Sequence, residues 1–175
     1  MRKVIIPIFL LFVIFGACSR DSEKAAELIH KANLLLNEKG LQEPQKAIDY
    51  LTKAIKLQPD NDDAYNIRGN IHFIQGKNQL AIDDFTKAIQ INATCADYFN
   101  NRGIVYNKLG RYKLAIKDFD DAILFASNDA AYYNNRGSVH LKHGDKKIGC
   151  LDAGRACVLK SCDLLDWAKK EGYCN

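Results

Sequence analysis

Asp97–Phe125, DYFNNRGIVYNKLGRYKLAIKDFDDAILF, is the stretch on which the reading of the whole chain turns. It predicts two amphipathic helices joined by a tight turn at Gly110. Phe99, Arg102, Gly103 and Tyr106 mark the first helix. Leu114, Ala115, Phe119, Ala122 and Ile123 mark the second, at the spacings of one helix face. One such hairpin cannot bury its apolar face alone, so its packing partners must lie elsewhere in the chain.

The same residues return in step. Gly69 and Gly137 lie 34 residues either side of Gly103, and the turn glycine recurs as Gly76, Gly110 and Gly144. Arg68, Arg102 and Arg136 precede the first glycine, and Tyr65, Phe99 and Tyr133 stand four residues before it. On the second helix Ala81 pairs with Ala115, Phe85 with Phe119, and Ala88 with Ala122 and Ala156. Aromatic, Gly, Ala, Phe and Ala at these offsets resemble the tetratricopeptide repeat (TPR) family. The resemblance implies antiparallel helix pairs stacked into a superhelix, with each unit's first helix on the concave side. The expected fold class is therefore all-α: a right-handed solenoid of about four hairpins plus a C-terminal capping helix. The expected repeats are 24–61, 62–95, 96–129 and 130–163, with the cap at 163–175.

Steric needs explain the residue types. Gly69, Gly103 and Gly137, facing Ala81 and Ala115, let helix backbones approach, and Phe85 and Phe119 fill the space between repeats. The first repeat is atypical: a helix over 24–40 carries Asn33 in place of the packing glycine, and a longer turn leads to Pro44 and a helix over 45–57. Repeat four degrades, with Gly149 where an Ala is expected and Ala153 where a Phe is expected. Beyond it, DLLDWAKKEG (163–172) predicts the cap: Asp163 starts it, Leu164, Leu165, Trp167 and Ala168 cover the stack, and Gly172 stops it.

The N-terminus reads differently. Arg2 and Lys3 precede VIIPIFLLFVIF (4–15) and Gly16-Ala17-Cys18, a secretory signal peptide over 1–17 whose apolar run is short for a membrane span of about 20 residues. The ending looks like a bacterial lipobox, with Phe15 where Leu is usual, so Cys18 is expected to be acylated and to become the mature N-terminus. Acyl anchoring is firm, because each buried CH₂ contributes about 0.8 kcal/mol. SRDSE (19–23) would complete a short tether over 18–23, and Ser19 after the cysteine points to the outer membrane by the enterobacterial sorting rule. Losing Arg2 and Lys3 takes the formal charge from +4 to +2, so nothing calls for a nucleic-acid partner.

Export suits disulfides. The antiparallel cap brings Cys174 back to Cys150 and leaves Cys157 beside Cys162, giving the nested pairs Cys150–Cys174 and Cys157–Cys162 among three connectivities that four cysteines allow. Cys95 is left over as a thiol or an intermolecular bridge. A zinc site with His140 and His143 is disfavoured because no C-x-x-C pair is present. No metal and no cofactor are expected.

The resemblance places partners on the first helices: Asp63, Asn66, Asn70 and Phe73; Asp97, Asn100, Ile104, Asn107 and Lys108; Asn134, Ser138, Leu141 and Lys142. Asn66, Asn100 and Asn134 form a ladder in register. Their amides offer donor and acceptor to an extended peptide, or else make interhelical hydrogen bonds. Asp63 and Asp97 argue against a clamp for a terminal carboxylate and favour an apolar or basic peptide. Arg68, Arg102 and Arg136 recur with Asp84, Asp118 and Asp152 as structural ion pairs. Without a nucleophile triad or phosphate loop, an enzyme is not expected. The expected function is a membrane-anchored module, facing the periplasm, that binds a segment of another envelope protein. A self-associating structural lipoprotein, forming homo-oligomers, and a soluble periplasmic chaperone are the alternatives.

Overall fold

The computed structural model describes residues 8–37, 40, 41 and 43–175; of residues 8–19, 37, 40 and 41 it describes the backbone alone. Met1–Pro7 of the expected signal peptide, and the Cys18 side chain, lie outside this description. Four helix pairs follow in chain order: α1 (Ile8–Leu34) with α2 (Pro44–Leu57), α3 (Asp62–Ile74) with α4 (Asn78–Ile91), α5 (Ala96–Lys108) with α6 (Tyr112–Phe125), and α7 (Ala130–His143) with α8 (Lys146–Val158). A last helix, α9 (Asp163–Lys170), packs on α7 and α8. Each helix also packs on the next, and α5 touches α3 and α7, so the pairs stack in sequence order.

The first hairpin departs most from expectation. α1 ends at Leu34 instead of continuing to Gly40, and a two-residue antiparallel pairing, β1 (Leu36–Asn37) with β2 (Gly40–Leu41), spans the turn. α1 also runs unbroken through 18–23, the segment expected as a tether. Among the described residues no helix is long and apolar enough to cross a membrane. Pro44 occupies the first turn of α2, where a missing N–H costs nothing. Asn61, Asp129 and Asp145 cap α3, α7 and α8 by accepting from backbone N–H groups. At the hairpin turns Gly76 and Gly110 take φ of 74° and 72°, which explains glycine there, whereas Gly144 does not.

The helices are held by contacts that repeat with the sequence. Phe85 is fully buried with Ala81, Ile82 and Val105, so it spans two repeats, and Phe119 does the same with Ala115 and Val139. Gly69 and Gly103 stand closest to these rings. A Cβ on Gly69 would lie 2.8 Å from Phe85 Cε1, and one on Gly103 would lie 2.7 Å from Phe119 Cε1. Repeat four keeps its helix pair, α7 with α8, through substitute contacts. Ala153 leaves the phenylalanine place open, and Leu164 of α9 approaches there, its Cδ2 3.1 Å from the Cβ position of Gly137. Gly149 is equally purposeful, since a Cβ would meet Leu141 Cγ at 2.6 Å.

Both disulfides expected from the cysteine spacing are present, Cys150–Cys174 and Cys157–Cys162, and Cys95 is free. The first ties α8 to the segment after α9, around a cluster of Leu141, Ala168, Leu164, Leu165, Trp167 and Tyr173. Cys162, and not Asp163, takes the N-cap position of α9, and it supplies no side-chain cap.

Candidate functional site: the face of the first helices

Each of α3, α5 and α7 carries an arginine one position before its packing glycine. Arg68 donates Nε and Nη2 to Asp84 at 2.9 and 2.7 Å, Arg102 to Asp118 at 2.9 and 2.8 Å, and Arg136 to Asp152 at 2.9 and 2.7 Å. The third donor, Nη1, reaches back one repeat, to Thr52, Thr86 and Asp120 respectively. Each guanidinium therefore ties its own second helix to the second helix before it. Planar, bidentate geometry is what arginine supplies and lysine does not. Burial works against the charge of Arg102, but Asp118 more than compensates and raises its pKa above the ordinary value. These cations are committed to structure.

A second ladder links the first helices directly. The Tyr98 hydroxyl lies 2.9 Å from Asp63 Oδ1 and 3.0 Å from Asp62 Oδ2, and Tyr132 donates to Asp97 Oδ1 at 2.6 Å. Burial, reinforced by these carboxylates, pushes both phenols well above the usual tyrosine range. Burial alone would raise Asp62, yet hydrogen bonds from Asn92 and Tyr98 hold it below its ordinary value. Asp63 and Asp97 are exposed while serving as inter-repeat acceptors.

The asparagine ladder is mostly spent on the protein itself. Asn66 accepts from Asn101 at 3.0 Å, Asn100 accepts from Asn135 at 2.8 Å, and Asn134 donates to Ser161 at 2.9 Å. Asn100 is buried, 9% exposed, because the neighbouring helix closes over it; it is not a solvent-facing groove residue. Leu141 is likewise buried, held under α9 with Ala168 and Cys174. Asn101, Asn135, Tyr98 and Tyr132 were not singled out in the sequence. Their signal was there, since each pair recurs at the 34-residue period.

What remains accessible is a narrower set. Asn70, Ile104 and Ser138, one repeat apart, are half-buried, as is Asn107. Among the described residues Asn70, Asn107 and Ser138 make no side-chain hydrogen bond. Lys108 holds its Nζ 4.6 Å above the Phe73 ring of the preceding repeat, and Lys142 sits 5.5 Å above Trp167 of α9. The face is thus acidic at the N-terminal ends of α3 and α5 and basic at the C-terminal ends of α5 and α7. Among the described residues no group of three His, Cys, Asp or Glu side chains is placed to hold a metal ion.

Family models described as tetratricopeptide repeat, or TPR repeat, match residues 31–61, 50–83, 69–110 and 96–129, which together run from α1 through α6. The chain belongs to the tetratricopeptide repeat family. Solved TPR structures agree over most of this chain. The crystal structure of MamA superposes with a TM-score of 0.72 at 25% identity, over 81% of each chain. YrrB, described as a TPR protein with an unusual peptide-binding site, gives 0.67 at 25% identity over 83% of this chain and 73% of its own. The TPR domain of Arabidopsis OM64 gives 0.64 at 26% identity over 69% and 97%. No curated protein matches the sequence. The family's general character is that of an interaction scaffold.

Proposed function

We propose that this TPR protein is a lipid-anchored binding module of a bacterial cell envelope, which holds an extended segment of another envelope protein against α3, α5 and α7. The carrying observation is the row Asn70, Ile104 and Ser138, with Asn107 beside it. These side chains stand in register on adjacent helices and are not consumed by internal hydrogen bonds. Amides and a hydroxyl serve a peptide backbone, and Ile104 offers one apolar contact. The peptide-binding site named for YrrB supports the same use of this fold.

Charge refines the partner. Asp97 and Lys108 are separated by eleven residues of α5, about 16 Å, which an extended strand covers in about five residues. A ligand with a basic residue near Asp63 and Asp97 and an acidic one about five residues away, near Lys108 and Lys142, satisfies both edges. The leader ending in Gly16-Ala17-Cys18 supports the anchor and the envelope location, with the outer membrane as the favoured site. Acylation there would hold the repeats at the periplasmic surface.

Photo-crosslinking in the native host tests this, with the probe at Asn107 and a control at exposed Lys117 on α6. A discrete heterologous adduct from Asn107 alone is the expected result. No adduct above background at Asn107 would remove the groove reading. A self-adduct would favour self-association, which has its own support in Leu124 and Val158. These are 75% and 72% exposed, one repeat apart on α6 and α8.

A further inference from the structure

A cavity of about 450 Å³ opens between α1 and α2 and is lined by Lys24, Leu28, Lys53, Lys56 and Leu57. No residue of α3–α9 lines it, so it is separate from the face described above. Its floor is two leucines and its rim three exposed lysines. None of the three makes an ion pair among the described residues. Glu27, one turn beyond Lys24, is taken up by Lys31 at 2.5 Å. A smaller cavity of about 330 Å³ shares Leu57 but is lined by Asp21, Ser22, Gln58, Pro59 and Asp60, so the cationic region is sharply bounded.

We propose that the lysine-rimmed cavity seats an anionic phospholipid of the membrane that carries the chain. An apolar floor under a cationic rim complements an amphiphile whose acyl segment and phosphate lie side by side. Position supports the same occupant. Lys24 follows Cys18 by six residues of one continuous helix, about 9 Å. The headgroup layer of a bilayer is about 5–8 Å deep on each side. With Cys18 at the hydrocarbon boundary and α1 along the membrane normal, Lys24 stands at the outer edge of the headgroup layer, where its long stem reaches back to phosphate level. This positional argument rests on lipidation of Cys18; the binding itself does not. Three lysines near an anionic surface strengthen binding by about a hundredfold.

The test uses the full chain in neutral detergent and native mass spectrometry, with short-chain phosphatidylglycerol, short-chain phosphatidylcholine and inorganic phosphate as probes. The expected result is retention of phosphatidylglycerol at least about tenfold above phosphatidylcholine. The preference should vanish in Lys24→Gln/Lys53→Gln/Lys56→Gln and persist in an unlipidated Cys18→Ser chain. Surface glutamines keep the helices, and a circular dichroism spectrum matching wild type verifies it. Equal retention of both lipids, or an unchanged preference in the triple variant, overturns the proposal. Inorganic phosphate bound as tightly as the lipid also overturns it, by showing a free-anion site instead. Loss of the preference in Cys18→Ser alone would mean that the anchor and not the cavity reads the membrane.

Discussion

Replacing Gly103 by alanine inserts a single carbon where Phe119 already sits. The new Cβ would lie 2.7 Å from Phe119 Cε1, 3.0 Å from its Cδ1 and 3.2 Å from Asp118 Cβ. The ring must recede by about 1 Å to regain ordinary carbon–carbon separation. It has nowhere to go, being fully buried against Ala115 and Val139. Overpacking of this kind costs about 1–3 kcal/mol. Alanine also returns about 1 kcal/mol of helix propensity, so Gly103→Ala alone is expected to destabilise by up to about 2 kcal/mol. Gly154, within α8, supplies the control, because a Cβ there meets nothing within 4 Å. Gly154→Ala should stabilise by up to about 1 kcal/mol. The propensity gain is common to both, so their difference isolates the packing penalty at about 1–3 kcal/mol, or several degrees of Tm in a chain of this size. Urea and thermal unfolding of the two variants side by side make the measurement, and adding Phe119→Leu to Gly103→Ala should recover part of the loss. If Gly103→Ala proved as stable as Gly154→Ala, the close approach to Phe119 would not be the reason for the glycine.

Other consequences follow from the same contacts. Arg102→Gln leaves Asp118 buried without its bidentate partner and should cost about 3–5 kcal/mol by chemical denaturation, whereas Lys117→Gln on the surface of α6 should be nearly silent. Opening Cys150–Cys174, which closes a stretch of 24 residues, should cost about 3.5 kcal/mol, and opening Cys157–Cys162, five residues apart, about 2 kcal/mol. Melting of the paired Cys→Ser variants ranks the two, and an equal loss would contradict loop closure as the cause. His72 is held below its ordinary pKa by burial, with Arg68 and Lys77 adding to it against the pull of Asp84. It therefore protonates more readily when unfolded, so its stabilising contribution is complete above the ordinary histidine pKa of about 6.5 and lost as pH falls below it. His72→Gln should flatten the decline of Tm between about pH 7.5 and 5.5, and an unchanged slope would rule His72 out as its source.

The legibility of the site was uneven for a physical reason. Arg68, Arg102 and Arg136 could be assigned to ion pairs from the sequence because their aspartates recur in phase sixteen residues on. Asn66, Asn100 and Asn134 recur just as strictly, yet a period reports only that a position is equivalent in each repeat. Whether that position faces water or the next helix depends on how closely the helices stand. Asn135 reaching Asn100, and Asn101 reaching Asn66, settle that against a free ladder.

The sequence by itself determined the helical hairpins and their stacking order, because a repeated apolar face can be buried only against its own neighbours; the structure chose among the three cysteine connectivities that the sequence allowed. The sequence also pointed to an exported, acylated N-terminus, through residues whose side chains the structure does not describe. The tertiary structure alone decided what each glycine makes room for. The 34-residue period marks Gly103 and not Gly154, and the packed structure shows what the glycine makes room for, the Phe119 ring. It also showed that Leu164 stands in for the aromatic residue that Ala153 replaced, and that Leu141 lies under α9 while Lys142 stays exposed. Local pattern fixes which face of each helix is apolar; the separation between helices, which no local pattern encodes, fixes what each side chain on that face touches.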